Sequence, residues 1–184
     1  VFREAGAVVV PSGPGRRASA GQLLDAARAT QASEVVMLPN DGDTVMAAEA
    51  AARAAEQDGL TVHVVGSRTA VQGLAALAVF DPAASGARNG STMSAAAAAT
   101  RHGAVAVAVK DALTSAGPCH EGDVLGAVAG DVVLVGDDPV VVATAVVERL
   151  LTGGGELVTV VVGAEAAEGL DEAIAGAVGR AHRD

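Results

Sequence analysis

VHVVGSRTAVQGLAALAVFDP, residues Val62–Pro82, is the stretch of this chain that decides its fold. A short apolar run, Thr61–Val65, ends in the polar break Gly66-Ser67-Arg68-Thr69, and Gln72-Gly73-Leu74 then opens an alanine-rich helix. This order predicts a strand, a loop and a helix. Such a loop presents backbone N–H groups at the positive end of a helix, where an anion or a carbonyl group can be held.

Apolar runs and polar breaks alternate through the first half of the chain. Three runs have the length and the branched side chains of strands: Ala7–Val10, Glu34–Leu38 and Thr61–Val65. Helices are expected between them, one capped by Ser19 and the other by Asp43 or Thr44. Because nearly continuous apolar strands separated by helices are typical of parallel sheets, residues 1–84 are predicted to form a parallel α/β subdomain.

The pattern changes after Pro82, and Ala83–Asn89 is the predicted boundary between subdomains. Residues 85–184 are predicted to form a mixed sheet with helices, so the fold class is α/β with two small subdomains. The expected helices cover about 90–101, 139–151 and 166–181, and the expected strands cover 104–109, 124–128, 132–135 and 156–162. Asp137 or Asp138 is expected to cap the helix that Pro139 opens, and Ala129-Gly130-Asp131 is a hairpin turn.

Composition points to a soluble protein of a reducing compartment. The chain is 51% hydrophobic but only 1% aromatic, which predicts a core of Val, Leu, Ala and Ile with closely spaced helices. No apolar run approaches the ~20 residues that cross a bilayer, and no charged-then-apolar leader is present, so no membrane insertion is expected. The single Cys119 excludes an internal disulfide and fits the cytoplasm.

The chain is acidic, with 22 acidic against 12 basic residues and a formal net charge of −10. Nucleic acid is excluded as a partner, because there is neither a basic stripe nor a set of aromatic residues for base stacking. Two interpretations of the acidity stay open. It keeps the surface solvated, or it forms a docking face for a basic partner.

Motifs for catalysis and for metal binding are incomplete. Cys119 and His120 are adjacent, so on a strand they point to opposite faces and do not form a nucleophile and base pair. No Gly-Lys-Ser/Thr phosphate loop occurs anywhere in the chain. The segment Pro39–Thr44 has the Asp-x-Asp alternation of a calcium loop, but Glu49 comes too early for its twelfth position. No catalytic residue and no metal site are predicted.

Several segments resemble the C-terminal domain of the fatty acid kinase A family, whose members are often labelled dihydroxyacetone-kinase-like. They are Leu38-Pro39-Asn40, Met46-Ala47-Ala48-Glu49, Arg68-Thr69, Gln72 to Leu77, Phe80-Asp81-Pro82, Val109-Lys110-Asp111 and Glu121-Gly122-Asp123. Their order and spacing resemble those of the family along nearly the whole chain. One loop departs from the family: Ser12-Gly13-Pro14-Gly15-Arg16-Arg17-Ala18-Ser19 stands where members usually carry Gly-Gly-Gln-Thr-Met-Asn-Pro-Ser.

The resemblance implies a fold shared with DegV-type fatty-acid-binding proteins and a place at the end of a longer protein. In the family an ATP- and Mg-binding kinase domain comes first, and a linker domain with catalytic Cys and His residues follows. The chain is therefore expected to begin inside a helix, at Val1–Gly6, and to stop before a last strand. It is expected to hold no cofactor, to have no kinase activity alone, and to dimerise through the linker domain.

Two functions follow from the resemblance. In the first, the domain is a non-catalytic part of a two-component fatty acid kinase and docks an acyl-carrying DegV-like protein; the candidate docking carboxylates are Asp111, Glu121, Asp123, Asp137 and Asp138. In the alternative, the domain itself binds a fatty acid or a small carboxylate. The candidate loops for a ligand or a partner contain Asn40, Asp41, Gly42, Asp43, Thr44, Arg68, Thr69, Gln72 and Gly73, and are expected at one edge of the first sheet.

Overall fold

The computed structural model describes residues 1–13, 15–164 and 166–182. The chain forms two compact units, Val1–Thr100 and Arg101–Asp184. Each unit combines helices with a small sheet, so the predicted α/β class is confirmed.

The first unit alternates helices with two strands. Its elements are α1 (Ala20–Ala29), β1 (Glu34–Met37), α2 (Val45–Ala55), a 3₁₀ turn (Glu56–Asp58), β2 (Thr61–Val64), α3 (Ala70–Ala78) and α4 (Gly86–Ala99). β1 and β2 are parallel, with Glu34 opposite Thr61 and Met37 opposite Val64. Ser19 caps α1 as predicted, since its side chain accepts the Gln22 N–H, and Gly59 closes the 3₁₀ turn at φ 72°.

Small side chains let the helices of the first unit pack closely. Ala48, Ala51 and Ala55 of α2 are fully buried beside Leu23 and Ala27 of α1. α4 packs against α3 and both strands. It approaches β2 through Gly86 and Gly90, where an added Cβ would lie 2.9 Å from His63. The alanine-rich composition therefore produces the tight helix packing that the sequence predicts.

The second unit begins with strands and ends with helices. Its elements are β3 (Gly103–Val107), β4 (Ala112–Thr114), β5 (Gly117–Cys119), β6 (Val124–Val128), β7 (Asp131–Gly136), α5 (Pro139–Leu151) and α6 (Leu170–Ala181). β3, β6 and β7 form one antiparallel sheet in that order, and β4 pairs with β5 in a separate hairpin. The predicted hairpin between β6 and β7 is confirmed, with Ala129 and Gly130 both at positive φ in its turn.

Glycines in the second sheet allow α5 to pack closely against it. An added Cβ on Gly103 would lie 2.5 Å from Val146 Cγ1, and one on Gly126 would lie 2.8 Å from Val142 Cγ1. α5 packs against all three strands and against α6. The face of the sheet that carries Gly103 and Gly126 is therefore the covered face.

The structure differs from the sequence prediction at several places. Val1–Gly6 forms turns and not part of a helix, and Ala7–Val10 and Glu156–Val162 are not strands. The second sheet was predicted to be mixed, but β3, β6 and β7 pair antiparallel throughout. The division between units falls after Thr100 and not at residue 84, because α4 packs on the first sheet.

Candidate functional site

Two predicted loops meet at one edge of the first sheet. β1 and β2 run in the same direction, and the Val65 N–H donates to the Met37 carbonyl at 2.9 Å just beyond them. The segments that follow the two strands therefore leave the sheet together. The prediction that residues 39–44 and 66–73 lie side by side is confirmed.

Ser67 joins the two loops. Its hydroxyl donates to Asn40 Oδ1 at 2.8 Å and accepts the backbone N–H of Asn40 at 3.2 Å. Ser67 is completely buried, and Asn40 has φ 58°, a left-handed conformation that Asn tolerates better than most residues. The sequence prediction included Asn40 but missed Ser67. Its place in the polar break directly after a buried strand was the available signal.

Gln72 and Thr69 fix the start of α3. The Thr69 hydroxyl accepts the Gln72 N–H at 3.3 Å, as an N-cap does. The side chain of Gln72 accepts the Arg68 N–H at 2.9 Å and donates to the Ala97 carbonyl at 3.2 Å. Both ends of this amide are thus engaged within the first unit, so Gln72 holds the loop in place.

The polar residues after Asn40 form a turn before α2. Thr44 is buried and donates its hydroxyl to Asp41 Oδ2 at 2.8 Å, and Asp41 also accepts the Asp43 N–H at 3.2 Å. Thr44 occupies the N-cap position, but its side chain does not bond the helix, contrary to prediction. Because Asp41 attracts the hydroxyl, the first turn of α2 has no side-chain cap.

A polar cleft of about 800 Å³ opens beside this turn. The described residues that line it are Ser12, Gly13, Gly15, Arg17, Asn40 and Asp41. The described lining combines the polar side chains of Ser12, Arg17, Asn40 and Asp41 with the backbone of two glycines. Arg17 forms an ion pair with Asp43. The loop that departs from the family pattern thus supplies one wall of the cleft. Arg68 and Gly42 are exposed nearby on the paired loops.

All five predicted docking carboxylates lie at one end of the second sheet, called here the acidic end. Val107 of β3 pairs with Val124 of β6, and Val124 pairs with Gly136 of β7. The residues just beyond these three positions therefore leave the sheet at the same end. They carry Asp111, Glu121, Asp123, Asp137 and Asp138, with Lys110 as the accompanying cation.

Hydrogen bonds order the loops of the acidic end. The Ala108 N–H donates to the Asp123 carbonyl at 2.8 Å, and the Glu121 N–H donates to Asp111 Oδ1 at 2.9 Å. Asp123 also accepts the His120 N–H at 2.7 Å. The backbone N–H of Glu121, followed by the imidazole of His120, lowers the pKa of the Asp111 carboxyl below its ordinary value.

The five carboxylates of the acidic end have different structural roles. Asp138 caps α5, as predicted, by accepting the N–H groups of Val140 and Val141 at 2.7 and 3.1 Å. Asp111 and Asp123 hold the loops. Within the described part of the chain, the side chains of Glu121 and Asp137 form no hydrogen bond or ion pair, and both residues are exposed. These two carboxylates are therefore available to a partner.

Large apolar side chains are exposed at the same end. Val107 is 61% exposed, Val109 84% and Val141, in the first turn of α5, 65%. Leu113, in the hairpin that follows Asp111, is 84% exposed. Exposed apolar side chains together with charged ones are usual in protein interfaces.

No catalytic constellation emerges from the described residues. Cys119 is buried while His120 is exposed, so the adjacent pair diverges as predicted. Among residues 1–13, 15–164 and 166–182, no group of three or more His, Cys, Asp or Glu side chains is placed to hold a metal ion. None of the helices in those ranges has the length and apolar character required to span a bilayer.

Comparison with known families decides the relationship that these features suggest. The family of C-terminal domains of fatty acid kinase A-like proteins (FakA-like) matches residues 1–184. The chain belongs to this family. The resemblance carried by Asn40, Gln72 and the other motifs is thus confirmed for the whole chain.

Two curated relatives of this kinase A-like domain are longer proteins. Protein YloV of Bacillus subtilis (strain 168) is 27% identical over 169 residues, which cover 91% of this chain and 30% of YloV. The uncharacterized protein SH1689 of Staphylococcus haemolyticus (strain JCSC1435) is 26% identical over 173 residues, covering 94% of this chain and 31% of that protein. The chain thus spans about a third of the length of these relatives.

Proposed function

We propose that this chain is the non-catalytic C-terminal domain of a two-component fatty acid kinase and that it docks an acyl-carrying DegV-like protein through the acidic end. ATP and Mg²⁺ then belong to a kinase domain elsewhere in the full protein, which acts in the cytoplasm and dimerises through its linker domain. Membership of the kinase A-like family supports the kinase context. The single observation that carries the docking role is that five carboxylates and several exposed apolar side chains share the acidic end.

The distribution of charge favours the second unit as the docking partner. Residues 101–184 contain 13 acidic and 5 basic residues, a formal charge of −8, whereas residues 1–100 contain 9 and 7, a charge of −2. Acidity needed only for solubility has no reason to concentrate in one unit. A partner with an apolar centre ringed by Lys and Arg fits this surface, since complementary charge accelerates encounter and fixes orientation.

The test uses the two carboxylates without structural bonds. Glu121→Lys/Asp137→Lys is compared with Asp131→Lys/Glu148→Lys, which changes the net charge equally; Asp131 opens β7 and Glu148 lies late in α5, so both are at the opposite end of the sheet. Binding of the acyl-loaded partner is measured by calorimetry at low and at physiological salt. An exposed pair contributes about 0.2–1 kcal/mol, and reversal adds repulsion, so the first variant is expected to bind roughly tenfold more weakly.

Salt dependence provides the second criterion. Binding of the parent chain weakens as screening shortens to about 8 Å at physiological salt, and the acidic-end variant loses most of this dependence. Equal weakening by both double variants would show a general charge effect and would contradict docking at the acidic end. Unchanged binding in both variants would contradict it as well.

The polar cleft supports a second candidate, the binding of a small carboxylate near Arg17 and Asn40. Of the two ligands of the alternative function, a small carboxylate is the one whose charge the Arg17 guanidinium at the cleft can pair. Mass spectrometry of the purified chain under native conditions distinguishes the two. A retained small carboxylate that is lost in Arg17→Ala supports the candidate, and a retained fatty acid contradicts it.

A further inference from the structure

The second sheet has an unprotected edge. β3 is its outer strand, and residues 104–107 are all exposed. Gly103–Val107 contains no charged residue and no proline, the two devices that usually protect an edge from strand addition. The backbone groups of β3 that point away from β6 are therefore open to another strand.

The segment Leu157–Val162, called here the strap, has the composition of a strand without a partner. Four of its six residues are valines and one is Thr159, and these side chains favour strands. Leu157 is 85% exposed, and Val158, Val160, Val161 and Val162 are 39–55% exposed. The strap forms no backbone hydrogen bond with the residues that the structure describes. Apolar side chains on both of its faces are typical of a strand within a parallel sheet.

The fold places the beginning of the strap beside the beginning of β3. α5 starts at the acidic end and runs back over the sheet, and its Val146 and Leu150 contact the Gly103 position. The Arg101 guanidinium then donates to the Gly154 carbonyl. Gly153 and Gly155 enclose the same group, since added Cβ atoms would lie 2.8 and 3.3 Å from its nitrogens. Gly154 is thus held beside the side chain of Arg101, the residue two positions before β3 begins.

We propose that the strap closes on the free edge of β3 as a parallel fourth strand of the second sheet. We take Arg101 opposite Gly154 as the starting alignment, an offset of 53 residues in which Val158 lies beside Val105 and Val160 beside Val107. At roughly 3.3 Å per residue the strap spans about 20 Å, enough to cover the five residues of β3. The closed sheet is mixed, and closure is independent of the proposed docking role.

The tether favours this chain's own strap over a strand from another molecule. Only residues 155 and 156 separate the strap from Gly154, which the Arg101 side chain holds. Closure is therefore an intramolecular step at high effective concentration. A strap from a second copy is the competing occupant, and the test distinguishes the two.

Disulfide trapping tests the closed state directly. Val105→Cys/Val158→Cys and Val107→Cys/Val160→Cys are made in a Cys119→Ala background, because neighbouring strands bring Cα atoms within the 4.4–6.8 Å that a disulfide requires. Leu113→Cys/Val158→Cys is the control, since Leu113 is exposed but lies outside β3. After mild oxidation we expect at least one β3 pair to form an intrachain disulfide and the control to remain reduced.

The opposite results overturn the proposal. Cross-linked dimers would assign the edge to a strap from a second copy, and fully reduced β3 pairs would show that the strap does not reach β3. Hydrogen exchange of the β3 amides tests the closed state without engineered cysteines. Val160→Pro should speed exchange of the outward β3 amides at least tenfold relative to Val160→Thr, which keeps the strand propensity. Equal exchange in these two variants would also overturn the proposal.

Discussion

Asn40 occupies the space where a side chain on Gly73 would lie. A Cβ built on Gly73 would be 2.5 Å from Asn40 Cγ and closer still to Oδ1. The glycine at the first turn of α3 therefore admits the Asn40 amide to the Ser67 hydroxyl. The absence of a side chain at Gly73 therefore allows Asn40 to take its place in the neighbouring loop.

Gly73→Ala is expected to lower the free energy of unfolding by about 1–3 kcal/mol, because the Cβ displaces Asn40 and leaves the buried Ser67 hydroxyl without its acceptor. Urea denaturation measures the change. Gly21→Ala in α1 is the matched control, since the nearest atom to its Cβ would be 3.9 Å away. The control should be neutral or stabilising by about 0.5–1 kcal/mol. Equal stability of the two variants would contradict the contact.

Replacing Asp138 by Ala is expected to cost about 1 kcal/mol, because the N–H groups of Val140 and Val141 lose their acceptor. Thermal unfolding of Asp138→Ala and Asp137→Ala compares two adjacent carboxylates of equal charge. Asp137 does not bond α5, so its removal should leave stability within about 0.5 kcal/mol of the parent. If Asp137→Ala is the more damaging change, the cap assignment is wrong.

Asn89 should be one of the more sensitive positions in the first unit. It is 4% exposed, its amide donates to the Asp81 carbonyl at 2.8 Å, and its Oδ1 accepts the Asp81 N–H at 2.9 Å. Asn89→Ala leaves both backbone groups unpaired and is expected to cost about 1–3 kcal/mol in chemical denaturation. The neighbouring exposed Arg88→Ala should have little effect. A loss below about 0.5 kcal/mol at Asn89 would contradict a structural role for this amide.

Asp111 is expected to remain ionised below the ordinary range for aspartate. Its pKa is lowered in the folded state, so the stability it contributes is present above the unfolded pKa, about 3.9. That contribution is lost as pH falls through the lower folded pKa. NMR titration of the Asp111 carboxyl carbon and of the Glu121 amide measures the transition. In Asp111→Asn the corresponding step at the Glu121 amide should disappear. A midpoint above about 3.9 would contradict the hydrogen bond.

Local patterns were sufficient for much of the secondary structure. Ser19 and Asp138 are caps as predicted, because a short polar side chain before an apolar helix bonds the nearest free N–H groups. The hairpin at Ala129-Gly130 was predictable for the same reason, since positive φ is a local requirement. The motifs around Asn40 and Gln72 were sufficient to identify the family.

Pattern alone was not sufficient where distant contacts compete with local preference. The strap has strand composition but no paired neighbour among the described residues, and Thr44 bonds Asp41 instead of the helix it precedes. α4 was assigned to the second subdomain, yet Gly86 and Gly90 let it pack on the first sheet. Each of these outcomes depends on which surfaces meet in space.

The sequence by itself determined most of the strands, the caps at Ser19 and Asp138, the acidic charge and the family, since these depend on composition and on residues within a few positions of one another. Only the tertiary structure decided that Ser67 joins the two loops and that Asp111, Glu121, Asp123, Asp137 and Asp138 share one end of a sheet. Strand order and register bring together residues far apart in the chain, and neither is encoded by a local period.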